Sequence, residues 1–536
     1  MMNRLQIPYS TTNSHSKIVL DYIANSIKLD AFITTQASYH NIEDIITAKA
    51  KQPINKAALV NALSEQHLTS PQAVLANIAM LEQPNTFTIC TAHQPNIFTG
   101  HLYFVYKIAH AIALAAKLTK LYPTYNFVPI YYMGSEDADI AELNHINIAS
   151  ETLTWHTTQQ GAVGRMVVDE ALVALIDNLE KQLAHAPHTA EIIKQLRNCY
   201  ALGSTIQHAT LQLVNYLFGS YGLVTLIADN ALLKQQMIPV FTNEILHQTS
   251  HQHVLKTNSA LAQHYIPQAT SRPINLFYLK GNIRNRIELT YKDISQGENI
   301  YEVHNTDIKF TQQEILKEIA QYPEHFSPNV ILRALYQETI LPNIAFVGGG
   351  GELAYWLQLK GVFDYYKICY PMLVLRNSFL LATNAQLQSW QKLGLSTEQL
   401  FNPLVQLQND YTLTNSTNTL NTFAQAAAIT TIYTELTKQV AAIDVTLQKH
   451  TKALLQKQLN KLKALDKKLL RAEKRNLTEA LQKIAKSRNL LFPQHNLQER
   501  YDNIVPYYAT YGKQIINDII TNSEGLTQQF SLLTLP

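Results

Sequence analysis

The chain has 536 residues, 46% of them hydrophobic and 15% charged, with a formal net charge of +3. That length supports one large domain with insertions or several domains, each with a full core. So small a net charge gives no reason to expect a nucleic-acid partner. Cys90, Cys199 and Cys369 lie far apart, without CxxC or Cys/His spacing. This argues against a local zinc site or a disulfide framework and fits a reducing, cytoplasmic setting. The N-terminus "MMNRLQIPYSTTNSHSK" lacks the apolar core of a signal peptide, and no long unbroken apolar run follows. Neither export nor a membrane span is expected.

Residues 86–92, "TFTICTA", predict a buried strand, ended by the loop "HQPNIFTG" with Pro95 and Gly100 as breakers. "HLYFVYKIAHAIALAAKLTKLY" repeats apolar residues at helical spacing, and "NFVPIYYMG" reads as a second strand. Strand, helix and strand in succession make a βαβ unit, whose strands run parallel. Residues 150–215 and 241–325 read as insertions, mixing short helices with hairpin-like pieces such as "INLFYLKGNIRNRIELT". Further βα passages are "GLVTLIAD", in a core segment at 216–240, and "NIAFVGGGGELAYWLQLKGVF" with "CYPMLVLR", in 326–420. With 1–149 they build a doubly wound α/β core.

Residues 421–490 differ: Leu436, Val440, Ile443 and Leu447 are spaced 4-3-4, and the pattern resumes at Leu459 after a slip near 450–455. No Pro or Gly interrupts 423–488, as in a long helix or coiled coil with a stutter. Residues 449–488 carry thirteen Lys or Arg against three acids, either a solvated face or a phosphate-attracting one. Residues 491–536 turn back at Pro493.

Candidate chemistry gathers at strand ends. In "TAHQPNIFTGHLYFVYK", Thr99 as N-cap and Gly100 as a point of close approach open a helix suited to phosphate or carboxylate. His93, Gln94, His101 and Lys107 are the polar groups around it. "MGSEDADIAELNH" crowds Ser135, Glu136, Asp137, Asp139, Asn144 and His145 after the second strand. Its acids suit proton transfer or ammonium binding, or simply cap a helix. Their spacing matches neither HExxH nor an EF-hand, so no dedicated metal site is expected. The glycine run brings Gly349 and Gly350 near a ligand, followed by Glu352 and Tyr355; without GK[ST] it is not a P-loop. Asn329, Arg333 and Gln337 recur every four residues, an anion-binding helix face or a plain polar stripe. Arg376, closing "CYPMLVLR", completes the set.

Taken in order, "TAHQPNIFTGHLYFVYK", "VPIYYMGSEDADIAELNH", "FSPNVILRALYQETILPNIAFVGGGGELAYWLQLK" and "LFPQHNLQER" span positions 91–500. Together they resemble the bacillithiol biosynthesis cysteine-adding enzymes, the BshC family. The resemblance implies a Rossmann-type core with connecting-peptide insertions, like those of class I aminoacyl-tRNA synthetases. It also implies a C-terminal antiparallel coiled coil that forms a homodimer. The implied activity is a ligase that joins the carboxyl of L-cysteine to the amine of glucosaminyl-malate. Because a carboxylate is a poor electrophile, activation by ATP, with Mg2+, is the expected route. Glu136, Asp137, Asp139 and His93 are then candidate catalytic groups, and the other residues named are candidate substrate contacts. The chain departs from the usual family pattern at Ala92, His101 and Ala138, where glycine, proline and histidine are commoner. Without the ligase, the same features describe a nucleotide- or sugar-phosphate-binding protein with a coiled-coil interaction module.

Overall fold

Five segments rich in β-branched and aromatic residues pair into one sheet. They are β1 (Thr86–His93), β2 (Asn126–Met133), β3 (Val224–Ile227), β4 (Asn343–Gly348) and β5 (Met372–Leu375). Their order is β5-β4-β1-β2-β3, with every neighbouring pair parallel. Nearly every position is buried, which is why these strands read as continuous apolar runs rather than alternating ones. The computed structural model describes residues 3–149, 151–291 and 299–535.

The register runs from Thr86 opposite Asn126 to His93 opposite Met133, so β1 and β2 end level and release their loops side by side. Between them α1 (Leu102–Leu121) lays Ala111, Leu114, Ala115 and Leu118 against Phe87, Ile89 and Phe127. By length and composition α1 is apolar enough to cross a membrane, yet most of it is buried as a core helix. The chain leaves β1 towards β2 and β3 on one side, then returns to the other through α2 (Val330–Ile340) and β4, followed by α3 (Gly350–Trp356). Strand order therefore reverses between β1 and β4, and such a switch point opens a crevice beyond the carboxyl ends of the strands.

The expected hairpin within 241–325 is the centre of a five-stranded antiparallel sheet. Leu276–Lys280 and Ile283–Tyr291 pair there, flanked by Phe326–Pro328 on one side and Asn299–Val303 on the other. A hairpin, His145–Ile148 with Glu151–Thr154, straddles the expected start of the first insertion, which continues as helices.

The chain groups into two units. One comprises Met1–Ser10, Ser14–Leu381 and Asn496–Leu533; the other comprises Thr11–Asn13, Ala382–His495 and Thr534–Pro536. The second unit also takes in Asn384–Gln391 and Leu404–Asn415, which precede the helical region expected at 421–490 and pack on its helices. Those helices are α4 (Phe423–Ala441), α5 (Leu447–Asn476) and α6 (Thr478–Leu491). The region expected as a long helix or coiled coil is built of separate helices, and the chain turns at 442–446. There the Asp444 carboxylate accepts from the Thr446 N–H and hydroxyl at 2.8 and 2.7 Å. α4 and α5 pack on each other, yet α4 has no buried residue and α5 only Thr451.

Candidate active site

A cavity of about 280 Å³ opens at the switch point between β1 and β4. His93 and Gln94 line it from the end of β1, and Tyr103 and Lys107 from α1. Arg333 enters from α2, Gly349, Gly350, Gly351, Glu352 and Tyr355 from the start of α3, and Arg376 and Arg500 from elsewhere in the same unit.

The Gln94 N–H donates to His93 Nδ1 at 2.7 Å, and the imidazole stacks on Tyr103 at 5.2 Å. With Nδ1 accepting, the ring proton sits on Nε2 and the neutral ring is a donor. Burial, reinforced by Lys107, holds the His93 pKa well below its ordinary value. Lys107 donates to the Ala92 carbonyl at 3.0 Å and pairs with Glu352. Burial lowers its pKa, and Glu352 opposes that shift. Glu352 also accepts the Gly349 N–H at 2.8 Å, which ties the glycine turn to the lysine. At Gly350 a Cβ would come within 2.7 Å of His15 Nδ1, so a side chain does not fit.

Arg376 grips Glu499 through both terminal nitrogens, at 2.9 and 2.6 Å, and reaches the Ser378 hydroxyl at 3.0 Å. Its Nε is buried and without a hydrogen-bond partner, 3.7 Å from where a Cβ on Gly349 would stand. Arg333 lies 3.8 Å from Asp137, which accepts from Gln94 Nε2 at 3.2 Å. Burial pushes the Asp137 pKa up, but Arg333, Arg284 and Gln94 outweigh it and hold the carboxyl below its ordinary value. Among the described residues, Lys107 and Arg376 have close carboxylate partners, Arg333 has a loose one and Arg500 has none. The cavity therefore keeps a surplus of positive charge and suits an anion.

Of the acids predicted after the second strand, Asp137 touches the lining residues Gln94 and Arg333, whereas Glu136 and Asp139 do not reach the cavity. Glu136 pairs with Lys234, which also lies 3.4 Å from Asp229, itself clamped by Arg165 at 2.6 and 2.8 Å. Burial raises the Glu136 pKa, and Lys234 opposes it. Asp139 is exposed at the start of a one-turn helix, Ile140–Leu143, and its side chain makes no cap bond. Ser135 is packed against Gly164, Asn144 donates to the Trp155 carbonyl at 3.2 Å, and His145 bonds Asn144 at 3.3 Å.

The expected N-cap at Thr99 is displaced to His101. Thr99 and Gly100 instead form a left-handed turn, φ 72° and 62°, whose carbonyls at Phe98 and Gly100 accept from Asn503 at 2.9 and 2.5 Å. His101 bonds the Tyr501 carbonyl at 3.1 Å. The repeat on α2 is divided: Asn329 caps the helix, Arg333 meets the cavity, and Gln337 is buried on Glu338 at 2.8 Å. Tyr103, Gly351 and Arg500 join the site without having been singled out, as does Glu499 behind Arg376.

Two family descriptions match the chain. Residues 2–377 match "Bacillithiol biosynthesis BshC, N-terminal Rossmann-like domain", and residues 379–535 match its "C-terminal coiled-coil domain". A Flavobacterium johnsoniae protein named "Putative cysteine ligase BshC" is 38% identical over 533 residues, covering 99% of each chain. Proteins of the same name from Flavobacterium psychrophilum and Christiangramia forsetii are 39% and 36% identical, each alignment covering 98% of both chains. With its parallel Rossmann-like sheet followed by long paired helices, the chain belongs to the BshC family of bacillithiol biosynthesis, an enzyme family of the ligase class.

Proposed function

We propose that the protein joins the carboxyl group of L-cysteine to the amine of glucosaminyl-malate, forming an amide. The cationic cavity at the switch point carries this reading: Arg333, Arg500 and the unpartnered Arg376 Nε match the malyl carboxylates and phosphate oxygens. His93, a neutral donor, hydrogen-bonds a carbonyl oxygen as it gains charge. Asp137, ionised beside Gln94 and Arg333, binds the cysteine ammonium or receives a proton from the attacking amine; its low pKa favours the first role. The turn Gly349–Gly351, with Lys107 at its base, is the candidate cradle for nucleotide phosphates. ATP, when bound, supplies the leaving group that cysteine's carboxylate lacks. Among the described residues no three His, Cys, Asp or Glu gather as metal ligands, so Mg2+ would come with the phosphates. The setting is cytoplasmic, consistent with three free cysteines, and the long helices join two copies as a homodimer.

Purified protein incubated with glucosaminyl-malate, cysteine and ATP should yield bacillithiol, detected as its derivatised thiol. No product under any nucleotide condition would remove the reading. Arg333→Ala should raise the KM for glucosaminyl-malate roughly tenfold or more, and near-normal kinetics would take Arg333 out of the site. A deletion strain should accumulate glucosaminyl-malate; an unchanged pool would favour a binding protein without ligase chemistry.

A further inference from the structure

Arg284 lies outside the cavity lining, on the strand Ile283–Tyr291 of the antiparallel insertion. Its guanidinium sits over the Phe277 ring, 4.0 Å from the centroid, and its Nε donates to the Ser327 hydroxyl at 3.3 Å. Stacking and this one bond fix the plane of the fork. The two terminal nitrogens have no hydrogen-bond or ion-pair partner among the described residues. The group is half-buried, and the charges acting on it are Asp137, Glu136, Asp229 and the like-charged Arg333. A partly desolvated guanidinium beside another cation and without its own close counter-ion is costly to hold. A planar fork with free terminal N–H groups is what bidentate recognition of a carboxylate requires.

The backbone ties Arg284 to Arg333. Ser327 is fully buried in Phe326–Pro328, directly before Asn329 caps α2, and Arg333 follows one turn later. The hairpin that carries Arg284 is also fixed against the Asp137 turn. A Cβ on Gly161 would stand 2.7 Å from the Asn282 carbonyl oxygen. From the same segment, Val163 N–H donates to the Asp137 carbonyl at 2.7 Å and Gly164 N–H to the Ser135 carbonyl at 2.8 Å.

We infer that Arg284 is a further substrate-binding residue, which with Arg333 holds a carboxylate of a dicarboxylate ligand beside Asp137. This rests on the proposed reaction and extends its anion site onto the second insertion. The deciding experiment is calorimetric titration of the full-length protein with L-malate, alongside steady-state kinetics. Wild-type protein should bind malate, and Arg284→Gln should weaken binding roughly tenfold to hundredfold. Arg284→Lys, which keeps the charge but not the fork, should fall between, and Phe277→Leu should weaken binding severalfold through a freed guanidinium. In turnover, the KM for glucosaminyl-malate should rise in Arg284→Gln while the KM for cysteine stays within about twofold, a split that general loss of folding would not produce. Equal malate affinity in wild type and Arg284→Gln would overturn this inference and leave the proposed reaction standing. Failure of the wild type both to bind malate and to turn over would overturn the reaction as well.

Discussion

Burial lifts the Asp502 carboxyl from 3.8 to about 6, although the Tyr507 hydroxyl donates to it at 2.8 Å. A carboxyl whose pKa is raised by folding binds its proton more tightly in the native state. Its contribution to stability is present below the ordinary value and is lost as pH rises from about 4 to 6. Asp502→Asn should therefore raise the melting temperature at pH 7.5, with a gain of at most about 3 kcal/mol. It should bring no gain at pH 4, and equal gains at both pH values would place the effect elsewhere. No local pattern around "ERYDN" announces this. The carboxyl is buried only because the segment lies on the start of α1, where the Asp502 carbonyl accepts the Leu102 N–H at 2.8 Å. Glu136 is similar: adjacent acids made it a candidate, while the partner that takes it out of the cavity, Lys234, lies on a distant helix. Asp137, one residue on, instead faces Gln94 and Arg333 at the cavity.

The turn between β1 and α1 stores backbone strain. Phe98, Thr99 and Gly100 follow one another with φ of 49°, 72° and 62°. A Cβ at Gly100 would stand 2.8 Å from Asn96 Cβ. Gly100→Ala should therefore cost both the strain of a left-handed residue, about 1–3 kcal/mol, and a displaced helix start that misplaces Lys107. Gly203 is the control: its φ is 82° but nothing lies within 4 Å of an added Cβ, so Gly203→Ala should cost the left-handed strain alone, about 1–3 kcal/mol. Denaturant midpoints of the two variants should differ accordingly, and equal losses would remove the steric part. At this scale β1, α1 and β2 were legible because apolar runs and helical spacing are local signals. The shift of the N-cap from Thr99 to His101 was not, since Asn503 imposes it from the far end of the chain.

Across the whole molecule, the paired helices α4 and α5 leave apolar side chains in solvent. Leu436, Leu447, Leu454 and Leu465 are 39%, 42%, 39% and 44% exposed. Leu436, Leu447 and Leu465 belong to the spacing that reads as a coiled coil in the sequence, and the proposed second copy would cover them. Leu436→Glu with Leu465→Glu should shift sedimentation from dimer to monomer, and a persistent dimer would put the interface elsewhere. The helical region reads as starting at 421 from the heptad-like spacing that follows, although the last Gly and Pro before it are Gly394 and Pro403. The unit begins at Ala382, since Asn384–Gln391 and Leu404–Asn415 owe their place to packing rather than to any change in composition.

The bidentate pair between Arg376 and Glu499 also bears on how the protein is made. Arg376 closes the last strand of the sheet, but its counter-ion is translated 123 positions later, after the long helices. Until the ribosome has passed residue 500, the growing chain holds a guanidinium that must be buried with nothing to neutralise it, and the cavity lacks Arg500. A chain cut off after the Rossmann-like part, though it carries the whole parallel sheet, should be a poor folder and an incomplete site. Prematurely terminated products should therefore lack an assembled cavity.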